Sequence, residues 1–362
     1  MPSGRTVAEG LATRKDNFLL LRVIAALMVI YGHSFALSPI PGARDIFLRL
    51  NWDTYSGDIA VDIFFVLSGF MVSGSYLRRS DPVDYLKARL LRIVPALLAC
   101  LIVTAFVIGP ILTSLSLTDY LRSHDVTHYV VQNLKFSSEV SYALPGVFQS
   151  NPFGPSVNGS LWTLPAEFHM YLFVAVIGAV GLFRSRKLTL LVLAGLALAG
   201  IFRPELLPLH WMWVRLAGYF LLGIVVQLYK DRIEISHVGM LALLFATYLC
   251  RRAEIYPWVF ALALTYFCFW FGYCVRLPSI EKYGDPSYGA YLWGWPLQQV
   301  YAAVFPHAAP LLSFLVCGCA ALTLGYLSWH TVERQALRLK SIRLWPLTAP
   351  ATTQDGLDRR GT

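Results

Sequence analysis

The sequence predicts an all-α, polytopic integral membrane protein, and three observations support this prediction. Hydrophobic residues make up 56% of the 362 residues. Charged residues make up only 14%, whereas soluble globular proteins carry about 25%, so there is too little charge to cover a water-facing surface. Apolar runs near the ~20-residue length that crosses a bilayer recur along the whole chain. These observations exclude the soluble, disordered, collagen-like and disulfide-rich classes.

About ten of the apolar runs are predicted to be transmembrane helices, and the fifth and seventh are short. They cover residues 17–37, 58–76, 93–115, 161–182, 188–203, 211–229, 237–251, 256–274, 287–305 and 309–330.

The distribution of basic residues predicts that both termini are cytoplasmic. With this orientation, 21 of the 30 Lys and Arg residues fall on the cytoplasmic side and seven outside. Arg251 and Arg252 are the clear exception. The net charge of +9 therefore reflects topology, and nucleic acid is not an expected partner.

The chain is predicted to hold one membrane domain, residues 1–340, followed by a short polar cytoplasmic tail, residues 341–362. The largest external loop, about residues 116–160, is rich in proline and glycine. We expect it to form an ordered lid over the outer face.

The first predicted span carries two ionisable residues, Arg22 and His33, which are costly inside a bilayer. Eleven residues make almost three full turns, so both side chains leave the same helix face, about 16 Å apart along the axis. They cannot act on one atom, but they could line one channel. Arg22 would hold an anionic group at the inner end, and His33 would perform acid–base chemistry further out. The alternative is that Arg22 reaches the lipid interface and that His33 is an interface residue.

Three carboxylates are further catalytic candidates. Asp62 is predicted at the depth of His33, where it could orient the imidazole, or it could be stabilised by a helix N-terminus. Glu167 lies in the fourth span, and its alternative role is a structural ion pair with Arg215. Glu333 closes the last span at the level of Arg22 and could pair with it.

The segment between the second and third spans is basic. Arg89 and Arg92 are three residues apart, so on a helix they share a face and form a fork suited to phosphate. Anionic lipid headgroups are the competing partner.

An aromatic stripe in the ninth span, formed by Tyr288, Tyr291 and Trp295, could be ordinary packing or a wall on which a sugar stacks. Trp162 at the start of the fourth span is a further candidate for substrate binding. No metal site is predicted, because His124 and His128 have a two-ligand spacing without a visible third ligand.

Several of these segments together resemble the acyltransferase type 3 family, which acylates O-antigens, exopolysaccharides and Nod-factor-type sugars. The resemblance covers about residues 16–340. It rests on Arg22 and His33, Val61-Asp62-Ile63-Phe64-Phe65-Val66-Leu67-Ser68-Gly69-Phe70, Arg89-Leu90-Leu91-Arg92-Ile93-Val94-Pro95, Ser160-Leu161-Trp162-Thr163-Leu164 leading to Glu167, Ser287-Tyr288 leading to Tyr291-Leu292, and Val332-Glu333.

The resemblance implies an enzyme of the bacterial inner membrane that uses acyl-CoA, with acetyl-CoA expected, and a sugar hydroxyl of a glycan or lipid-linked precursor. It implies that Arg22 and His33 are essential and that Arg89 and Arg92 serve the donor. Two departures concern acceptor choice and helix geometry: Gly294 stands where the family often has histidine, and no proline follows Glu333.

The leading hypothesis is therefore a membrane O-acyltransferase, in which His33 deprotonates the sugar hydroxyl or transiently accepts the acyl group. One alternative is a glycolipid transporter or flippase without catalysis. Another is a haem or metal redox protein that uses His33 and His169 as axial ligands.

Overall fold

The computed structural model describes residues 4–341, apart from the side chains of Arg79 and Ser341. Apart from Ser341, the predicted tail lies outside the described residues.

Within this range the chain is almost entirely helical. The helices are α1 (Val7–Ala12), α2 (Phe18–Leu37), α3 (Ile46–Arg49), α4 (Ser56–Arg79), α5 (Pro82–Val103), α6 (Gly109–Leu112), α7 (Leu117–Arg122), α8 (His124–Leu134), α9 (Thr163–Ala179), α10 (Arg186–Phe202), α11 (Trp211–Leu228), α12 (His237–Cys250), α13 (Tyr256–Tyr273), α14 (Ser287–Val304), α15 (Pro310–Ser328) and α16 (Arg334–Arg338). Two π-helical turns, Thr104–Ile108 and Trp329–Glu333, join α5 to α6 and α15 to α16. A short antiparallel pair, β1 (Arg5–Thr6) and β2 (Glu234–Ile235), ties the N-terminal segment to the α11–α12 connection.

The predicted all-α membrane class is confirmed in outline. Each of the ten predicted spans overlaps one of the long helices. In residues 4–341, six helical segments are long and apolar enough to cross a membrane: Phe18–Leu37, Ser56–Arg78, Pro82–Leu112, Gly159–Ala179, Trp211–Leu228 and Pro310–Arg338. The crossing of the other four helices, and the side on which each terminus lies, stay predictions.

The third long helix begins about three turns earlier than its hydropathy indicates. Asp81 caps α5 by accepting hydrogen bonds from the backbone N–H groups of Val83 and Asp84, and Pro82 occupies the first turn. The first turns of α5 carry charged residues, so a search for apolar runs does not include them. Arg89 and Arg92 are therefore helical residues and not loop residues, which fixes the direction of both side chains.

Helix α4 lies in the middle of the bundle, where it packs against α2, α9 and α11. Its crossing with α11 is very close. A Cβ atom on Gly69 would lie 2.0 Å from the carbonyl oxygen of Phe220, and one on Gly223 would lie 2.2 Å from that of Val66. Glycine at these two positions lets the backbones touch, as small residues do in membrane helix pairs.

The predicted lid region contains α7 and α8, followed by an irregular stretch, residues 135–158, which we name the cap segment. The cap segment is bound to α14. The amide of Asn151 donates to the carbonyl and side-chain oxygens of Gln299 at 2.9 and 2.7 Å, and the indole N–H of Trp295 donates to the carbonyl of Ser156 at 3.1 Å. These bonds place the cap segment over the half of α14 that is farther from its N-terminus.

Candidate active site

Helices α2, α4, α5, α9 and α14 enclose a cavity of about 490 Å³, which we name the arginine cavity. Its volume lies within the range of roughly 300–1,000 Å³ that is typical of small-molecule sites. Its wall includes Arg22, Arg89, Arg92 and Glu167. The sequence predicted these four residues as candidates from three separate segments, and the fold brings them to one place.

An ion-pair chain runs along one side of the arginine cavity. Oδ2 of Asp285 lies 2.7 Å from Nη2 of Arg22 and 2.5 Å from Nη2 of Arg92. The other terminal nitrogen of Arg92, Nη1, lies 2.7 Å from Oε2 of Glu333, whose second oxygen accepts a hydrogen bond from Ser328 at 2.9 Å. The chain thus joins α2, α5, the start of α14 and the π-turn that holds Glu333.

The predicted pairing of Glu333 with Arg22 is wrong. Both residues lie at the same end of the bundle, as expected, but Arg92 comes between them and takes the carboxylate of Glu333. Arg22 is bonded to Asp285 instead. Depth along a helix can be read from residue spacing, but the choice between two guanidinium groups at that depth depends on helix rotation.

Asp285, which pairs with Arg22 and Arg92, is not among the candidates that the sequence pattern indicates. Burial alone would raise the pKa of its carboxyl, but the charges of Arg22 and Arg92 and the hydrogen bonds from Ser287 outweigh it and hold this pKa below its ordinary value. The group is therefore ionised at neutral pH. A signal was present in Asp285-Pro286-Ser287, because an acidic residue just before an apolar helix is typical of a helix start.

Arg89 has different surroundings from Arg92. Its guanidinium lies 5.9 Å from the ring of Tyr171, whose hydroxyl donates to Glu167. Among the described residues, Arg89 forms no ion pair with a carboxylate, and its Nε is buried without a hydrogen-bond partner. The Nε of Arg22 is also buried without a partner. Burial of an N–H group without a hydrogen-bond partner costs about 1–3 kcal/mol. A ligand in the cavity that accepts hydrogen bonds would satisfy these two N–H groups.

The lipid-headgroup alternative does not fit Arg92, because its side chain is only 17% exposed and is enclosed by Asp285, Glu333 and the rings of Tyr288 and Trp329. The same contacts also leave Arg92 little freedom to bind phosphate directly.

His33 lies at the other end of the same face of α2 and does not belong to the wall of the arginine cavity. Its ring is half-buried and meets the indole of Trp295 edge to face, with centroids 4.7 Å apart. Its Nδ1 is buried and has no hydrogen-bond partner in the described part of the chain. Among the described residues, no neighbour therefore fixes the tautomer of the imidazole through Nδ1.

The predicted pairing of Asp62 with His33 is wrong. Asp62, 2% exposed, has its Oδ2 2.9 Å from Nη1 of Arg215, while Nη2 of Arg215 lies 2.9 Å from Oδ1 of Asp58. The alternative for Glu167, an ion pair with Arg215, is wrong for the same reason. Helix α11 packs on α4, so it presents Arg215 to the carboxylates of α4 and not to α9.

Arg215→Ala is expected to lower the free energy of unfolding by about 1–3 kcal/mol, because it leaves the buried carboxylate of Asp62 without its partner. Thermal unfolding of the purified protein in detergent measures the change. Arg186→Ala is the matched control, since its partner Asp231 is 49% exposed and such surface pairs contribute about 0–1 kcal/mol. Equal effects of the two substitutions would contradict a structural role for the Arg215 cluster.

The aromatic candidates separate into two groups. Tyr288 and Tyr291 line the arginine cavity, and Tyr288 also lies under the guanidinium of Arg92 at 5.7 Å. Trp295 lies beside His33, away from that cavity. The stripe thus extends along α14 from the arginine cavity to His33, and its role in stacking a sugar stays a prediction. Trp162 packs at the edge of the core, just before the cavity-lining residue Thr163.

Gly294 has a packing explanation. A Cβ atom at this position would lie 2.7 Å from Cγ1 of Ile30, so the close contact between α14 and α2 leaves no room for a larger side chain unless Ile30 moves.

Comparison with known proteins agrees with the geometry. A family described as an acyltransferase domain matches residues 16–330. An O-acetyl transferase of Shigella phage Sf6 is 31% identical over 345 residues, which cover 91% of this chain and 98% of the relative. Nodulation protein 10 of Rhizobium leguminosarum bv. viciae is 25% identical over 368 residues, which cover 90% and 94% of the two chains. No solved structure is significantly similar to the chain.

Apolar helices around a cavity lined by charged residues are typical of a membrane protein with a functional interior. The chain belongs to the acyltransferase type 3 family. It is an O-acetyltransferase, and the predicted family and enzyme class are confirmed. The family favours acyl transfer over the transporter and redox alternatives.

Proposed function

We propose that the enzyme transfers an acetyl group from acetyl-CoA, bound in the arginine cavity, to a sugar hydroxyl of a glycan or lipid-linked precursor bound beside His33. The observation that carries the proposal is that Arg22 and His33 leave one face of α2 about 16 Å apart. Arg22 lies in the wall of the cavity with three further arginines, Arg78, Arg89 and Arg92, and His33 lies outside it.

The arginine cavity is suited to the acyl donor. Of the arginines in its wall, Arg22 and Arg89 have buried N–H groups left to bind phosphate, and Arg89 has no carboxylate partner among the described residues. The volume of about 490 Å³ is within the usual range of small-molecule sites, and we assign it to the acylated pantetheine arm of the donor. We therefore place the phosphates at the arginines and the thioester towards Tyr291, which lies one turn further along α14 than Tyr288.

The chemistry requires two proton transfers, one to His33 and one from it, and one bond exchange. The imidazole of His33 takes the proton of the sugar hydroxyl as the oxygen attacks the thioester carbonyl carbon. A C–O bond forms, the C–S bond breaks, and the CoA thiolate leaves and takes the proton from the His33 imidazolium, which restores the neutral base. No carboxylate of the described residues is bonded to Nδ1 of His33, so we assign the proton to the imidazole itself.

The proposed setting is the bacterial inner membrane, with both termini and the mouth of the arginine cavity cytoplasmic and His33 near the outer leaflet. The excess of Lys and Arg in the segments assigned to the cytoplasm supports this orientation. Cytoplasmic acyl-CoA would then enter from the side where it is made, and membrane lipids would surround the bundle.

Arg89→Ala is expected to weaken binding of acetyl-CoA roughly ten- to hundredfold, since a charge-assisted hydrogen bond contributes about 1.5–3 kcal/mol. Isothermal titration of the purified protein in nanodiscs measures the dissociation constant. Arg122→Ala, which removes an exposed arginine at the end of α7, is the control. Unchanged binding by the Arg89 variant would contradict the placement of the donor phosphates.

The acceptor class is tested in cells. The surface and secreted glycans of a deletion strain should lack acetyl groups that are present in the parent, as read by mass spectrometry before and after mild alkali. Glycans of identical acetyl content in both strains would contradict a polysaccharide acceptor.

A further inference from the structure

Asp285 contacts two arginines from two other helices. Its Oδ2 lies 2.7 Å from Nη2 of Arg22 in α2 and 2.5 Å from Nη2 of Arg92 in α5. Its Oδ1 accepts hydrogen bonds from the backbone N–H and the hydroxyl of Ser287, at 3.2 and 2.6 Å. Both carboxylate oxygens are hydrogen-bonded within the protein. We therefore do not expect the carboxylate to take a proton from a substrate or to bind the substrate.

The shared oxygen holds two positive charges side by side. Two guanidinium groups on one carboxylate oxygen repel each other, and the intervening negative charge is what keeps them together. Ser287 fixes the carboxylate from the opposite side, at the start of α14. The position of Arg22 in the cavity wall therefore depends on a residue that does not itself line the cavity.

Arg22 and Arg92 differ in the hydrogen-bond donors that remain free for a ligand. Arg92 uses Nη1 for Glu333 and Nη2 for Asp285. Arg22 uses Nη2 for Asp285, and its Nε has no partner among the described residues. Arg22 thus has hydrogen-bond donors left for a ligand. Arg92 has a structural role, because it links Asp285 to Glu333.

We propose that Asp285 is a positioning residue for the acyl donor: it holds the guanidinium of Arg22 against that of Arg92, so that Arg22 meets the donor in a fixed orientation. This inference rests on the proposed function and extends it to a residue that touches neither substrate nor the transferred group.

The direction in which donor affinity changes distinguishes a positioning role of Asp285 from a purely electrostatic one. Asp285→Asn removes a negative charge beside the cavity, and on electrostatic grounds alone the variant would bind an anionic donor more tightly. If Asp285 orients Arg22, the same substitution weakens binding, because the two arginines separate and the hydrogen bond from Arg22 is lost.

The experiment measures the dissociation constant of coenzyme A and the KM of acetyl-CoA for the full-length protein in nanodiscs. Asp285→Asn is expected to raise both roughly ten- to hundredfold, and Asp285→Glu is expected to restore part of the loss because it returns the charge. Asp231→Asn, which also removes the acidic partner of an arginine but at an exposed pair, is the control and should bind normally. Thermal unfolding of each variant reports its folding.

Ser287→Ala keeps every charge and removes one hydrogen bond to Oδ1, so it decides the question if the Asp285 variants do not fold. It is expected to weaken coenzyme A binding roughly two- to tenfold. Wild-type or tighter binding by folded Asp285→Asn, or by Ser287→Ala in its place, would overturn the positioning role and leave the proposed function standing. Wild-type protein that binds neither coenzyme A nor acetyl-CoA would overturn the proposed function, and this inference with it.

Discussion

Replacing His33 by alanine is expected to lower acetyl transfer by about 10²- to 10⁴-fold, which is the usual contribution of a general base. Binding of acetyl-CoA should stay at the wild-type level. The reason is distance, because His33 lies about three helical turns from Arg22 and outside the arginine cavity that is assigned to the donor. A substitution there removes the base without touching the phosphate contacts.

Transfer is measured as release of the CoA thiol in the presence of acceptor glycan, and binding by isothermal titration. His169→Ala is a matched control, because His169 is also half-buried and also packs beside a tryptophan, Trp213, with ring centroids 5.2 Å apart. Normal turnover by the His33 variant would show that the catalytic base has been assigned wrongly. A large loss of donor binding would show that the two sites are not separate.

Replacing Glu333 by alanine is expected to cause the largest loss of stability, about 3–5 kcal/mol, because it removes one of the two carboxylates that pair with the buried Arg92 and leaves Arg22 and Arg92 to share the single carboxylate of Asp285. The side chain of Glu333 is 0% exposed, and Nη1 of Arg92 lies 2.7 Å from its carboxylate. The residue also occupies a π-helical turn, a distortion that often marks functional positions. We expect Glu333 to hold Arg92 in place and not to exchange protons with the substrate.

Thermal unfolding in detergent tests this expectation, with Asp231→Ala as the exposed control, for which about 0–1 kcal/mol is expected. Glu333→Gln should lose less than Glu333→Ala, since an amide oxygen can still accept the hydrogen bond of Ser328. A Glu333→Ala protein as stable as the control would mean that the ion pair with Arg92 does not hold the fold together.

Much of the fold could be predicted because membrane burial leaves a strong pattern. A long apolar run is costly to expose and its backbone must satisfy its own hydrogen bonds, so each such run becomes a helix. The start of α5 was missed because its first turns are charged, although Asp81 and Pro82 carried the capping signal.

The partners of the charged residues could not be predicted in the same way. Asp62 was placed correctly at the His33 end of its helix, but Arg215 takes its carboxylate. Asp285 lies in a connection between helices, where no periodicity marks it. A hydrogen bond is decided within a few tenths of an ångström, whereas helical spacing gives depth and face only to within a side-chain length.

By itself, the sequence determined the membrane class, the helical segments, and the fact that Arg22 and His33 leave one face of α2 at different depths, because hydropathy and the helical repeat are properties of a single segment. Only the tertiary structure decided that Arg22, Arg89 and Arg92 surround one cavity, that Asp285 joins two of them, and that His33 stands apart beside Trp295. Those outcomes depend on the order and rotation of helices that are far apart in the chain, which are set by close packing such as that of Gly69 and Gly223.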